Sequence, residues 1–317
     1  MNQFNEVNNF PEILILGMGR TASSVAVCLA ASGSEVTLCC EDPEMYQARI
    51  ETHRSDLGLH LGITETKKIL VTREKTWSET QNLVFITGYS DQAQIQSLIQ
   101  FLENFHSRDL IIAVSTDHIE LNSLQRHSQR PENIVVVNWS EPAHTTFFME
   151  IVFNAQTDQQ IITRLENAAR KSWNKDPYTI RAELGVRGRM CTAMLREALY
   201  LIDKGYANIE DIDRACRNDA GTYMPFVGNF QYMDLMGTFA YGVVMGKLNQ
   251  ELYNGTVPPP FFNQVSEEGR GGVAEKSSFY EYSAEDMEEW DLRMRNFSFE
   301  VRSLICKYPF GDTVEID

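Results

Sequence analysis

Between Glu12 and about Leu184 the chain alternates short apolar runs with stretches whose apolar residues recur at helical spacing. Ile13-Leu14-Ile15-Leu16 is a continuous apolar run, the pattern of a parallel strand covered on both faces. A helix is predicted from about Arg20 to Ala31, with Gly33 after it, and a second strand from Glu35 to Cys40. Pro43 opens another helical stretch. Ile69–Val71, Leu83–Ile86, Leu110–Val114 and Ile134–Val137 read as further strands, with Gln92–Phe105 as a helix among them. Phe147–Phe153, Ile161–Trp173 and Asp176–Leu184 read as strand, amphipathic helix and final strand. Alternation of this kind predicts a doubly wound sheet with helices on both faces.

From Gly185 the pattern turns helical. Met190–Ile202 stops at Asp203-Lys204-Gly205, and Asn208 is placed to cap a helix over Ile209–Cys216. Phe230–Leu252 is expected to hold two helices meeting near Gly237. Asn254-Gly255 and Pro258-Pro259-Pro260 mark a loop, and Ala284–Cys306 a long terminal helix. The expected organisation is therefore a dinucleotide-binding α/β domain over residues 1–184 and an all-helical domain over 185–317, with a ligand cleft between them.

The dinucleotide expectation rests on Gly17-Met18-Gly19-Arg20-Thr21-Ala22, which joins the first strand to its helix. Gly17 permits the turn, Gly19 lets backbone N–H groups approach a pyrophosphate, and Ala22 lets helix and strand pack closely. The helix N-terminus favours the phosphate charge. Glu41, with Asp42 beside it just after the second strand, is placed to accept hydrogen bonds from ribose hydroxyls, which favours NAD. Arg20 inside the loop could pair with a phosphate and keeps NADP open.

The 317 residues carry 28 basic and 44 acidic side chains, a formal net charge of -16. That balance argues against non-specific nucleic-acid or anionic-membrane binding. No apolar run is long enough to span a bilayer, and the first ten residues lack the features of a secretory signal. The six cysteines form no C-x-x-C pair and are expected as buried, reduced thiols in a cytoplasmic protein. No set of His, Cys, Asp and Glu shows metal-ligand spacing.

Several segments resemble the 3-hydroxyacyl-CoA dehydrogenase family. AMLREALYLIDKGYANIEDIDRAC, ending at Cys216, is similar to the first helices of that family's C-terminal domain. Gly228, Phe230 and Asp234 match its G-P-F-E-L-x-D segment, and Phe279-Tyr280-Glu281-Tyr282 resembles its G-F-Y-x-Y ending. With the glycine loop, the resemblance covers nearly the whole chain. It implies a Rossmann-type domain followed by a helical domain, through which subunits pair as a homodimer. The aromatic and Met content of the helical half favours the same assembly.

The resemblance also implies a histidine base oriented by a glutamate, with a serine and an asparagine on the substrate. Here the H-F-F-N-P segment reads Asn138-Trp139-Ser140-Glu141-Pro142, while Glu150 is kept where the glutamate is expected. The serine position becomes Asp117, and the asparagine before an arginine becomes Gly188 before Arg189. The late K-T-G segment becomes Ala274-Glu275-Lys276. An asparagine amide is no general base near neutral pH, although it can donate a hydrogen bond to a substrate oxygen.

The candidate catalytic residues are thus Asn138 for substrate positioning and Glu150, His144 or Asp117 for the proton. Glu150 has a structural alternative as an acceptor of backbone N–H groups, and His144 one as a surface loop residue. Arg187 and Arg189 flank Gly188 and are candidate ligands for a carboxylate or phosphate, of which at most one points at the substrate. Two functions fit: an NAD(P)-dependent oxidoreductase acting on a small carbonyl, imine or secondary alcohol by a non-standard proton transfer, or a dinucleotide-binding sensor or structural protein without turnover.

Overall fold

A computed structural model describes residues 10–74, 78, 80–105, 109–267 and 279–309. The altered segment Ala274–Lys276 lies outside them. The described residues fall into two compact units, the first ending at Arg189 and the second starting at Met190.

The first unit is built on one eight-stranded sheet: β1 (Glu12–Gly17), β2 (Glu35–Cys39), β3 (Ile69–Thr72), β4 (Leu83–Thr87), β5 (Ile111–Val114), β6 (Ile134–Trp139), β7 (Phe148–Phe153) and β8 (Asp176–Arg181). Their order is β3-β2-β1-β4-β5-β6-β7-β8. Neighbours are parallel except β6 and β7, which run antiparallel and pair Asn138 with Glu150. The order reverses between β1 and β4, which opens the crevice that doubly wound sheets use for ligands at the carboxyl ends of their strands.

Residues alternate between the sheet faces. Leu14, Leu16, Val84, Ile86, Ile112 and Val136 lie in a buried cluster with Ile95, Leu98, Ile99 and Leu102 of α3 (Gln92–Phe105) and with Leu121 and Leu124 of α4 (Leu121–Gln125). Phe10, Phe85, Trp139 and Trp173 form a second, aromatic cluster with ring centroids 5.4 to 6.1 Å apart. Each fully buried Leu, Ile or Phe in these layers contributes roughly 1.5–3 kcal/mol of transfer free energy.

The remaining helices of this unit are α1 (Gly19–Ala31), α2 (Pro43–Leu61) and α5 (Gln159–Lys171). Asp42 caps α2 by accepting from the Met45 N–H, and Asp158 caps α5 through the Gln160 N–H. The helix α6 (Val186–Asp203) starts four residues before the predicted Met190, because its first turn is anchored on β7 in a way that apolar periodicity does not register.

The second unit holds the rest of α6 and then α7 (Ile209–Ala215), which runs through a π-helical turn, Cys216–Ala220, into the short α8 (Gly221–Tyr223). After these come α9 (Asn229–Met236), α10 (Thr238–Leu248), α11 (Pro260–Glu267) and α12 (Ala284–Lys307). Asn208 caps α7 as expected, and Gly237, with φ at 101°, separates α9 from α10. The proline tract does not only close a loop: Pro260 opens α11, where its fixed φ suits a first helical position. Ser283 and Asp286 form a reciprocal capping box on α12.

Among the described residues of this unit, only Arg295, Ser298, Phe299 and Arg302 of α12 are buried, while Phe230 is 82% and Phe239 85% exposed. The expectation of buried thiols holds for Cys28, Cys39 and Cys40 and fails for Cys191, Cys216 and Cys306, which are exposed on this unit. No described helix is long and apolar enough to cross a membrane.

Candidate active site

At the carboxyl end of β1 the chain turns at Met18 into α1, and the Met18 N–H donates to the Thr87 carbonyl of β4 at 2.9 Å. A Cβ on Gly17 would lie 2.5 Å from the Ala22 Cβ, so this pair sets how closely strand and helix approach. Gly19 has φ at 72°, a left-handed conformation that glycine adopts without strain. At the end of β4, a Cβ on Gly88 would meet the Met18 carbonyl oxygen at 2.0 Å, a close approach with no counterpart in the sequence pattern.

The N-cap residue Met18 makes no side-chain cap on α1, and no acidic residue occupies the first turn of the helix. Gly19 and Arg20 are exposed there, and Glu41 is exposed beyond the end of β2. A helix N-terminus, a glycine turn and a carboxylate one strand away fit a dinucleotide, with its pyrophosphate at the helix start.

Glu141 is a second polar group at this turn. Its carboxylate accepts from Ser24 Oγ of α1 at 2.7 Å, and the same hydroxyl accepts from the Ala143 N–H at 3.1 Å. Burial pushes the Glu141 carboxyl above its ordinary value of 4.5, against the lowering effect of its Ser24 and Thr21 hydrogen bonds. Its sequence signal was its place directly before Pro142.

Asn138 and Glu150 face each other across β6 and β7, and both are buried. Asn138 Nδ2 donates to Glu150 Oε2 at 3.0 Å, while Asn138 Oδ1 accepts from the Thr116 N–H at 2.9 Å. Glu150 Oε1 accepts from the Val186 N–H at 2.7 Å, the Arg187 N–H at 3.1 Å and the Tyr178 hydroxyl at 3.0 Å. Its negative charge therefore rests on the first turn of α6, where the helix dipole stabilises it. Gly185 makes the approach possible, since a Cβ there would lie 2.0 Å from Glu150 Oε2. Burial, and then the neighbouring Glu150 charge, hold the Tyr178 phenol far above its ordinary range, so it stays a donor.

Asp117 follows β5 and pairs with Arg187 at 3.0 Å, both side chains remaining partly exposed. The Arg187 guanidinium also lies over the Phe148 ring, 5.7 Å from its centroid. A Cβ on Gly188 would lie 3.0 Å from the Asp117 Cβ and 3.1 Å from its carbonyl oxygen. Two of the departures from the family pattern, Asp117 and Gly188, are thus in contact. Arg189 is exposed on the same first turn of α6.

The structure brings Asn138, Glu150, Asp117 and Arg187 into one network with Thr116 and Tyr178. His144 is not a surface residue. It is 5% exposed and packs on His53 of α2, because the loop after Pro142 turns inward against α1 and α2.

Residues 12–183 match the NAD-binding domain of 3-hydroxyacyl-CoA dehydrogenases, and residues 186–282 match the C-terminal domain of the same family. A 5-formyl-3-hydroxy-2-methylpyridine 4-carboxylate 5-dehydrogenase from Mesorhizobium japonicum is 24% identical over 282 residues, covering 86% of this chain and 91% of its own. An L-carnitine dehydrogenase from Oceanobacillus iheyensis is 30% identical over 227 residues, covering 69% and 74%. Among solved structures, a 5-formyl-3-hydroxy-2-methylpyridine 4-carboxylic acid 5-dehydrogenase, an NAD+-dependent dismutase, superposes with a TM-score of 0.86 at 20% identity, covering 93% of this chain and 98% of that one. The chain belongs to the 3-hydroxyacyl-CoA dehydrogenase family and is an NAD-dependent dehydrogenase of that family.

Proposed function

We propose that this dehydrogenase acts on a small carbonyl, imine or secondary alcohol bearing a carboxylate, and that Asp117 rather than a histidine handles the proton. The observation that carries the proposal is the 3.0 Å contact from Asn138 Nδ2 to Glu150 Oε2, which puts an amide where the family resemblance expects an imidazole base. The bound nicotinamide supplies or takes up the hydride. Asn138 has one further N–H to direct at the substrate oxygen, its other amide atoms being engaged. Glu150, held by four donors, fixes Asn138 and the start of α6.

Asp117 is the candidate carboxylate with solvent access, and its Arg187 partner holds it in place. Arg189 is the arginine left to meet a substrate carboxylate, because Arg187 is engaged by Asp117 and Phe148. The Mesorhizobium relative supports this substrate class, since its name specifies a small formyl compound with a carboxylate. For the cofactor, Gly17, Gly19 and Ala22 shape the pyrophosphate turn, Arg20 meets a phosphate, and Glu41 accepts from the ribose hydroxyls.

A panel of aldehydes, keto acids, hydroxy acids, amines and 3-hydroxyacyl-CoA thioesters, read by NADH absorbance, tests the reading. Small carboxylated substrates are expected to turn over. Asp117→Asn is expected to lower kcat by about 100-fold or more and to remove one limb of the pH profile. Efficient turnover of 3-hydroxyacyl-CoA, or an Asp117→Asn enzyme with an unchanged profile, overturns it.

The exposed apolar side chains of the second unit support a homodimer formed through that unit, in a cytoplasmic protein whose thiols stay reduced. Light scattering is expected to give twice the 36.2 kDa chain mass, and the single-chain mass overturns the assembly.

A further inference from the structure

Outside the network above, three ligating side chains converge inside the first unit. His53 and Asp56 lie one turn apart on α2 and share a face, while His144 comes from the loop after β6. All three are buried, at 7%, 7% and 5% exposure. One donor atom from each lies within 4.8 Å of the others, and the two imidazole centroids are 4.4 Å apart. Ser23 Oγ of α1 is 3.4 Å from His53 Nε2. The loop that carries His144 is fixed independently, by Ser24 through the Ala143 N–H and by the Lys175 ammonium, which donates to the Ala143 and Thr146 carbonyls.

Each imidazole offers a ring nitrogen and Asp56 a carboxylate oxygen, and all three donors are buried together. A set of two nitrogens and one carboxylate oxygen suits zinc, whose donors sit at about 2.0–2.2 Å. The donor atoms are already gathered from two segments of the first unit.

We propose that His53, Asp56 and His144 bind one Zn2+ ion per chain. The ion ties α2, which follows Glu41 and Asp42, to the loop that follows Asn138. It therefore fixes the loop containing Glu141 against the helix that follows Glu41. Its role is structural, so its test does not depend on turnover or on the proposed substrate.

The full-length protein, freed of metal by dialysis against a chelator, is titrated with Zn2+ against a chromophoric competitor and with Co2+ as a visible-absorption surrogate. One equivalent per chain and a Zn2+-dependent rise in melting temperature are expected. His144→Gln and Asp56→Asn are each expected to lower Zn2+ affinity by about 100-fold or more and to abolish the rise, while Cys191→Ser leaves both unchanged. Should a variant fail to fold, X-ray absorption of the Zn2+-loaded wild-type protein decides the matter. An imidazole-containing N/O shell upholds the site, and a sulfur shell overturns it. Less than one equivalent of Zn2+, or binding indifferent to both substitutions, also overturns it.

Discussion

Asn138 and Glu150 stand opposite each other on β6 and β7, both buried, the amide nitrogen 3.0 Å from the carboxylate. Three further donors converge on the same carboxylate from Tyr178 and the first turn of α6. Removing Glu150 leaves buried donors without an acceptor, each costing about 1–3 kcal/mol. Glu150→Ala is therefore expected to destabilise the protein by about 3 kcal/mol or more, read as a melting temperature lower by roughly 10 °C. Glu150→Gln is milder but not neutral, because its amide would confront the donating amide of Asn138. A Glu150→Ala protein that melts like the wild type would contradict this anchoring role.

Gly185 and Gly188 flank the start of α6, and substitutions there are expected to rank in a defined order. A Cβ at 185 meets Glu150 Oε2 at 2.0 Å, and that carboxylate is pinned by four donors. A Cβ at 188 meets Asp117 at 3.0 Å, on a partly exposed turn that can yield. Gly185→Ala should cost about 3 kcal/mol and Gly188→Ala about 1 kcal/mol in urea denaturation. The reverse order would show that the Asp117 turn, not Glu150, is the rigid partner.

The Glu141 carboxyl carries the clearest pH signature. Burial raises its folded-state value above the ordinary 4.5, so protonation favours the folded form. Its contribution to stability is fully present below about 4.5 and is lost as pH rises through the raised folded value. Glu141→Gln keeps an oxygen for the Ser24 hydroxyl and removes the buried charge. It is expected to raise the melting temperature at pH 7 by about 3 °C, with the difference shrinking towards pH 4. A gap that widened as pH fell would reverse the sign of this account.

Cofactor preference tests the role of Glu41. If it accepts from the ribose hydroxyls, Glu41→Ser weakens NADH binding about tenfold, or 1.4 kcal/mol, and narrows the preference against NADPH by removing a charge that repels a 2′-phosphate. Fluorescence titration gives both dissociation constants. An unchanged NADH constant would place the ribose contact elsewhere and turn attention to Arg20.

Much of the alternation of strands and helices was legible because β1, β4, β5 and β6 are short, apolar runs in which local pattern and tertiary role agree. The glycine turn was legible for the same reason, since Gly17 and Ala22 meet within one strand-turn-helix unit. The α6 start was missed at Val186 because its first turn is held by Glu150, 36 residues earlier in the chain. The helix at Pro260 was hidden by a residue type that both ends loops and begins helices.

Residue identity alone determined that an imidazole base is absent at 138 and that a carboxylate is retained at 150. What that carboxylate does was decided by the antiparallel pairing of β6 with β7 and by the close pass of Gly185, which bring donors from distant segments onto it. His144 makes the same point. A loop histidine in the sequence becomes one of three converging buried polar groups, because the loop after Pro142 folds inward onto α2. Periodicity reports which face of an element is buried, whereas the partner of a polar side chain depends on how separate elements meet, and that information lies in the packing of the whole unit.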